Sequence, residues 1–149
     1  MNLKILKYAA IILLLARTMI ACEDEKKDGN PVLKGTSWKL IGFMDVEPGK
    51  LRKAEPEDCQ RCYTITFDTD TTFSGLASSN LMHGYYKIDY QTTYMQIVCG
   101  TTTEVIPYFD EEIFVETMNL VLSFSLQNDE LRLYYKDKKN YLLFKSKIS

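Results

Sequence analysis

The chain has 149 residues, with 18 Lys and Arg against 20 Asp and Glu and a formal charge of −2 at pH 7. That balance argues against a nucleic-acid binder, which needs Lys and Arg massed on one face. Ten tyrosines and seven phenylalanines, most of them in alternating segments, favour strands over helices.

Lys4 and Lys7 precede an unbroken apolar run, Tyr8 to Ala16, of the length of a signal-peptide core. Arg17 ends that run well short of the roughly 20 apolar residues a membrane-spanning helix needs. Met19-Ile20-Ala21-Cys22 resembles the bacterial lipobox, which implies cleavage before Cys22 and a diacylglycerol on its thiol. Residues 1–21 are therefore expected to be a lipoprotein signal peptide, with a soluble secreted chain or an uncleaved anchor as the alternatives. Cys22 to Pro31 is polar and charged, with nothing a core could bury, and reads as a flexible tether. Its acidic start resembles the export signal of Bacteroidetes lipoproteins, implying an outer-membrane anchor, periplasmic or surface-exposed; a solvated linker with no address fits the composition equally well. Cleavage would remove Lys4, Lys7 and Arg17 and no acid, leaving 15 basic against 20 acidic residues, a charge of −5.

Residues 32–149 have the length of one domain with a real core. Leu33 to Phe43 alternates after Gly35, with Trp38, Leu40 and Gly42 on one face, as in an opening strand. Met44 to Gln60 is an aperiodic polar excursion with turn residues Pro48-Gly49 and Pro56. Tyr63, Ile65 and Phe67 then alternate with threonines, the clearest strand of the chain. A short turn at Asp68 to Thr71 leads to a strand over Thr72–Ala77 and a loop at Ser78 to Asn80. Gly84–Tyr90 and Tyr94–Cys99 read as a hairpin. Asp110 can cap a short amphipathic helix running to Val121, with Phe114, Met118 and Val121 at helical spacing and Glu111 and Glu112 complementing its dipole. Period two returns in Leu122 to Leu126, Leu131 to Tyr135 and Tyr141 to Phe144, a three-stranded meander. The expected fold is mainly β: a single curved, barrel-like antiparallel sheet of about eight strands, with one short helix.

Leu33-x-Gly35-Thr-x-Trp38-x-Leu40, Phe73-x-Gly75, Ala77-x-x-Asn80-x-x-x-Gly84-x-Tyr86, Gly100-Thr-Thr-Thr-Glu104, Glu112-x-Phe114-x-x-x-Met118 and the closing Leu131-x-Leu133 and Leu142-x-Phe144 follow one another as in the META domain of the HslJ-like family, which the chain resembles from Leu33 to Phe144. The resemblance implies a small β-rich envelope domain linked to stress tolerance, with no agreed catalytic residues. Ser78-Ser79-Asn80 stands where the family often has Gly-Cys-Asn, so no disulfide can start from that turn.

In an oxidising envelope a Cys59–Cys62 disulfide with Cys99 reduced is expected, a bridge from Cys99 to either being the alternative. The Cys-x-x-Cys spacing also suits a redox pair, but the segment runs into a strand and offers no helix N-terminus to lower a thiol pKa. His83 with the three cysteines matches no compact zinc module, and no nucleophile is placed beside His83 by any motif, so neither a metal nor another cofactor is expected. His83 reads as a turn residue, and Glu111, Glu112 and Glu116 as dipole partners. Tyr85, Tyr86, Tyr90 and Tyr94 crowd both faces of one hairpin, more than a core hides, and form a candidate binding surface for an envelope protein or glycan. The expected function is thus a non-enzymatic, lipid-anchored envelope protein that binds a partner or serves under envelope stress. A lipocalin-like carrier of a small apolar ligand and a thiol-redox protein using Cys59 and Cys62 are the alternatives.

Overall fold

A computed structural model describes residues 32–102 and 105–147; the stretches expected to be signal peptide and tether, with Cys22, lie outside the described residues. Among the described residues nine strands form one antiparallel sheet: β1 (Ser37–Asp45), β2 (Lys50–Lys53), β3 (Thr64–Phe67), β4 (Thr72–Leu76), β5 (Leu81–Asp89), β6 (Tyr94–Thr101), β7 (Ser123–Gln127), β8 (Glu130–Tyr135) and β9 (Asn140–Ser146). Among the described residues there is one helix, α1 (Glu111–Met118), between β6 and β7. Neighbouring strands pair in the order β2-β1-β3-β4-β5-β6-β7-β8-β9, and β9 also pairs with β1, which curls the sheet into a ring.

β1 makes that closure possible because it is long and serves three neighbours. Its first half, Ser37 to Lys39, pairs with β3, its second half, Gly42 to Asp45, with β2, and its other edge with β9. A bulge at Ile41 shifts the register between Leu40 and Gly42. The extra residue turns the strand's phase, so Trp38 and Leu40 point inward before it and Phe43 points inward after it. The expected face of Trp38, Leu40 and Gly42 therefore holds to the bulge and then changes. β2 is the strand that raises the count to nine: Lys-Leu-Arg-Lys has no alternation to show, and it forms because the turn ending in Gly49, at φ +77°, folds it back onto β1.

Every strand from β3 to β9 places its alternating apolar side inward. Ile65, Phe67, Phe73, Met82, Met95, Ile97, Leu131, Leu133, Leu142 and Phe144 are all buried, as is Trp38, whose indole N–H donates to Thr36 Oγ1 at 2.7 Å. The barrel is thus a packed core. Phe67 meets Tyr86 edge to face at 4.9 Å, and Tyr63 meets Phe114 in the same way at 5.4 Å.

The weak point of the ring is β6 against β7, where Tyr94 and Ser123 are the registered pair. Helix α1 covers that seam, sinking Phe114 and Met118 into the core, with Phe114 between Tyr63 and Phe144. The helix is shorter than expected: it ends at Met118, with Asn119 as C-cap, and Asp110 makes no side-chain cap bond because its carboxylate is engaged elsewhere. Leu122, expected to face the core, is exposed. His83 stands in the middle of β5, pointing outward, and is no turn residue.

Two glycines of the motif stand where there is no room for a side chain. A Cβ at Gly75 would stand 2.1 Å from the Thr64 carbonyl oxygen across β3, and one at Gly84 would meet the Phe73 ring at 2.4 Å. Gly100 has open space at that position. Gly75→Ala is expected to cost about 2 kcal/mol and lower the melting temperature by roughly 8 °C, while Gly100→Ala leaves it nearly unchanged; paired thermal unfolding curves check the contrast.

Candidate surface site and the network behind it

The β5–β6 hairpin sorts its tyrosines by strand parity. Tyr86 points inward, and its hydroxyl donates to the Thr69 carbonyl at 2.7 Å; burial first, then the nearby Tyr90 and Asp70, push its pKa up to about 12. Tyr90 also turns to the core, standing edge to face with Phe124 at 5.6 Å and accepting the Leu33 N–H at 3.0 Å. Tyr85 and Tyr94 lie on the outer face, Tyr85 being 69 % exposed. The candidate surface therefore consists of Tyr85 and Tyr94 with their outward neighbours, and Tyr86 and Tyr90 belong to the core.

Around Tyr85 the outer face has two cross-strand rows: Thr72, Tyr85 and Val98 in one, Ser74, His83 and Gly100 in the other. Gly100 carries no side chain, so the ground opposite His83 is bare backbone, and a dish of about 410 Å³ opens between the rows. Asp68 borders it, its carboxylate accepting the Ser74 hydroxyl at 3.1 Å. Along β6, Tyr94 donates to Gln96 Oε1 at 3.2 Å. An aromatic ring, an exposed valine and a few polar groups around a bare floor suit a flat partner that stacks on one side and hydrogen-bonds at its rim.

Behind this face, the loop Ser78-Ser79-Asn80 is built around Glu111, which is 1 % exposed. Oε2 accepts the backbone N–H groups of Ser78, Ser79 and Asn80 at 3.1, 2.8 and 3.3 Å and the hydroxyls of Ser78 and Ser79 at 2.8 and 3.1 Å; Oε1 accepts the Asn80 amide at 2.6 Å. Burial pushes the Glu111 pKa up, but these donors together outweigh it and hold the carboxyl below its ordinary value. The Asn80 amide also accepts the Val105 N–H at 3.2 Å and donates to the Val105 carbonyl at 3.0 Å, as a neighbouring strand would. Asp110 accepts Arg52 at 2.7 Å and the Glu55 N–H at 2.9 Å. Tyr63 takes the Asp110 N–H at 3.1 Å and donates to the Glu55 carbonyl. The expected dipole role of Glu111 is thus the smaller part of what it does, and the loop residues that receive it bear no sequence signature of a carboxylate socket.

Cys59 and Cys62 are bridged, and Cys99 is a free thiol. The Lys39 ammonium donates to the Cys59 carbonyl at 2.9 Å and to that of Cys62, fixing the bridged loop; burial, and then Lys147, lower its pKa. Cys99 lies on the inner side of β6 and His83 on the outer side of β5, so the two do not converge. Among the described residues no group of three His, Cys, Asp or Glu side chains is placed to hold a metal ion. Asn119 brackets Cys99, accepting its N–H at 2.9 Å and donating to its carbonyl at 3.1 Å. Burial pushes the Cys99 thiol up to about 11.

A family model for the META domain matches residues 31–148. The chain belongs to the META domain family. A protein of Tannerella forsythia named "Putative lipoprotein" is 30 % identical over 142 residues, covering 95 % of this chain and 94 % of that one. Two solved structures share the fold: a DUF4847 family protein from Bacteroides vulgatus, at 18 % identity and TM-score 0.60 over 76 % of this chain and 94 % of that one, and a protein from Burkholderia xenovorans, at 20 % identity and TM-score 0.63 over 78 % and 85 %. For this META domain the match explains the order of the motifs: Gly75 and Gly84 mark close approaches, Asn80 the socket, Phe114 and Met118 the helix that closes the ring.

Glu111→Gln removes the charge that draws five of the loop donors together and is expected to destabilise the domain by about 2 kcal/mol at pH 7. Because the folded pKa is depressed, the ionised carboxylate stabilises the fold fully above the unfolded value, about 4.3, and loses that effect as the pH falls through the folded value. The difference in stability between native protein and variant should therefore shrink on acidification below that point, as urea titrations at stepped pH will show. Cys99 should react with iodoacetamide at pH 8 about a hundredfold slower than free cysteine, and at the ordinary rate once the chain is unfolded; mass spectrometry of timed samples reads both.

Proposed function

We propose that this META domain is carried by a lipid-anchored envelope protein that acts by binding, without turnover, through the outer face of β5–β6. The observation that carries the reading is the division of the hairpin: its inner side is spent on a filled core, while Tyr85 and Val98 stand exposed over a dish with Asp68 and His83 at its border. Rigid aromatic area on a strand loses little entropy when covered, which is what a recognition surface needs. The leader ending at Cys22 supports the anchor, as does the name of the Tannerella forsythia relative, and an outer-membrane site is the address its acidic tether suggests.

The carrier alternative has less support, because Trp38, Phe67 and Leu133 fill the interior where a ligand would sit. The redox alternative has less too, since Cys62 is buried and its loop is held by Lys39 and leads directly into β3.

The partner on this reading is an envelope protein or glycan. Wild-type chain and Tyr85→Ala are immobilised and challenged with the protein and the polysaccharide fractions of envelope extract. One fraction is expected to be retained, about tenfold less by the variant, as the loss of one stacked ring predicts, with circular dichroism unchanged. Equal retention by both chains, or reproducible turnover by the purified protein, would count against the reading. The stress setting implied by the family resemblance adds a cellular readout: Tyr85→Ala should complement a deletion strain poorly when the envelope is stressed.

A further inference from the structure

Resting on the outer-face reading above, we propose that the ligand of the dish is an uncharged saccharide, with one sugar ring on Tyr85 and the following sugars laid across β4 and β3 toward β1. A sugar ring has two faces of C–H bonds and an edge of hydroxyls. The dish offers a counterpart to each. The ring of Tyr85, 69 % exposed and carried on a rigid strand, turns its electron-rich face to C–H groups, with Val98 beside it. Asp68 supplies an acceptor for hydroxyls: its Oδ1 takes the Ser74 hydroxyl at 3.1 Å, and its Oδ2 has no bonded partner among the described residues. His83 is exposed on β5, and its imidazole is likewise without a bonded partner among them.

The charge of the dish selects among polar ligands. Among the described residues no lysine or arginine lines it, and Asp68 is its one acid. The Lys34 ammonium is held by Asp70 at 2.9 Å, and Lys87 stands in the next row beyond Tyr85, opposite Gln96. A carboxylate with no cation beside it repels uronates, phosphates and sulfates, and it welcomes the hydroxyls of an uncharged ring. The middle of the dish argues in turn against a protein. A protein contact gathers its affinity in a dense apolar centre ringed by polar groups. Here the ground opposite His83 is Gly100, where a side chain would meet nothing within 4 Å.

The surroundings extend the match beyond one ring. Ser37, Thr66, Ser74 and His83 are registered partners across β1, β3, β4 and β5, and they face outward because Trp38, Ile65 and Met82 beside them are buried. Strands lie about 4.8 Å apart, so the row is about 14 Å long. Its hydroxyls are short and orient one another, Ser37 Oγ lying 2.8 Å from Thr66 Oγ1. The result is a level, hydroxyl-lined track that continues from the dish. A chain of sugars carries hydroxyls at intervals along its length, and this track answers them at intervals with donors and acceptors that need no reordering.

The test immobilises the whole mature chain in a detergent without a sugar headgroup. Envelope extract is applied after protease digestion, or after periodate, which cleaves the vicinal diols of sugars. Material held by the wild-type chain, and about tenfold less by Tyr85→Ala, is expected to survive protease and to be lost after periodate. Asp68→Ala should lower its retention about tenfold. Thr66→Ala, on the track, should weaken the long saccharide about threefold and leave a disaccharide released from it unaffected. Circular dichroism should be the same for all chains, and sugar analysis of the retained material should give uncharged residues. Retention lost to protease gives the face to a protein: it overturns this proposal and leaves the outer-face reading standing. A retained polymer of uronic acids or sugar phosphates, or indifference to Asp68→Ala and Thr66→Ala, would overturn it as well. Equal retention by Tyr85→Ala, or none by either chain, would sink both readings.

Discussion

The carboxylate of Glu111 is the constraint on which the rest of the domain depends. A ring of antiparallel strands has to close, and here it closes weakly at β6 against β7, so a helix must be brought over the seam and kept there. Eight residues of helix have little stability of their own. What fixes α1 is its first residue, whose buried charge gathers the N–H groups of Ser78, Ser79 and Asn80. Unpaired, that charge would be intolerable inside the fold, and unmet, those N–H groups would be too. Each satisfies the other, and the helix is joined to the β4–β5 turn as a result. Asp110 does the same on the other side, tying the helix start to Arg52 and to the backbone of Glu55.

Once the helix is fixed, two asparagines take over the pairing that the sheet leaves undone. A side-chain amide offers one donor and one acceptor with the spacing of a peptide group, and Asn119 presents both to Cys99 while Asn80 presents both to Val105. At Cys99 the edge of β6 is thereby paired without another strand, which blunts a template for unwanted pairing there. The same economy fills the interior. Phe114 enters between Tyr63 and Phe144 and occupies the end of the barrel that a carrier would leave open.

Much of this was legible in the sequence because burial and strand parity write the same pattern. Tyr63, Ile65 and Phe67, or Leu131, Leu133 and Tyr135, alternate because one side of each strand is wet and the other dry. Phe114 and Met118 stand at helical spacing for the equivalent reason. The failures are equally physical. β2 has no dry side to reveal it, only charges along an edge, and it exists because of its turn and its partner. The bulge in β1 inserts one residue and so inverts a pattern that looks regular on paper. Asp110 has the chemistry of a helix cap, and only the position of Arg52, far away in the chain, decides that its carboxylate turns elsewhere. The four tyrosines were one cluster in the sequence and are two in space, since neighbours on a strand face opposite ways.

That last separation frees the outer surface from the core. Tyr86 and Tyr90 each hold a backbone group, the Thr69 carbonyl and the Leu33 N–H, so a change at either is felt by the fold. Tyr85 faces Thr72 and Val98 in its row, while the floor beneath the dish is backbone and glycine. Its side chain can change without moving Phe73 or Met82 on the other side of the sheet, because the pleat puts the two sets of contacts on opposite faces. The polar socket around Glu111 adds to this independence, for none of its residues lines the dish beside Tyr85. A domain built in this way can keep its fold while the residues around Tyr85 are exchanged.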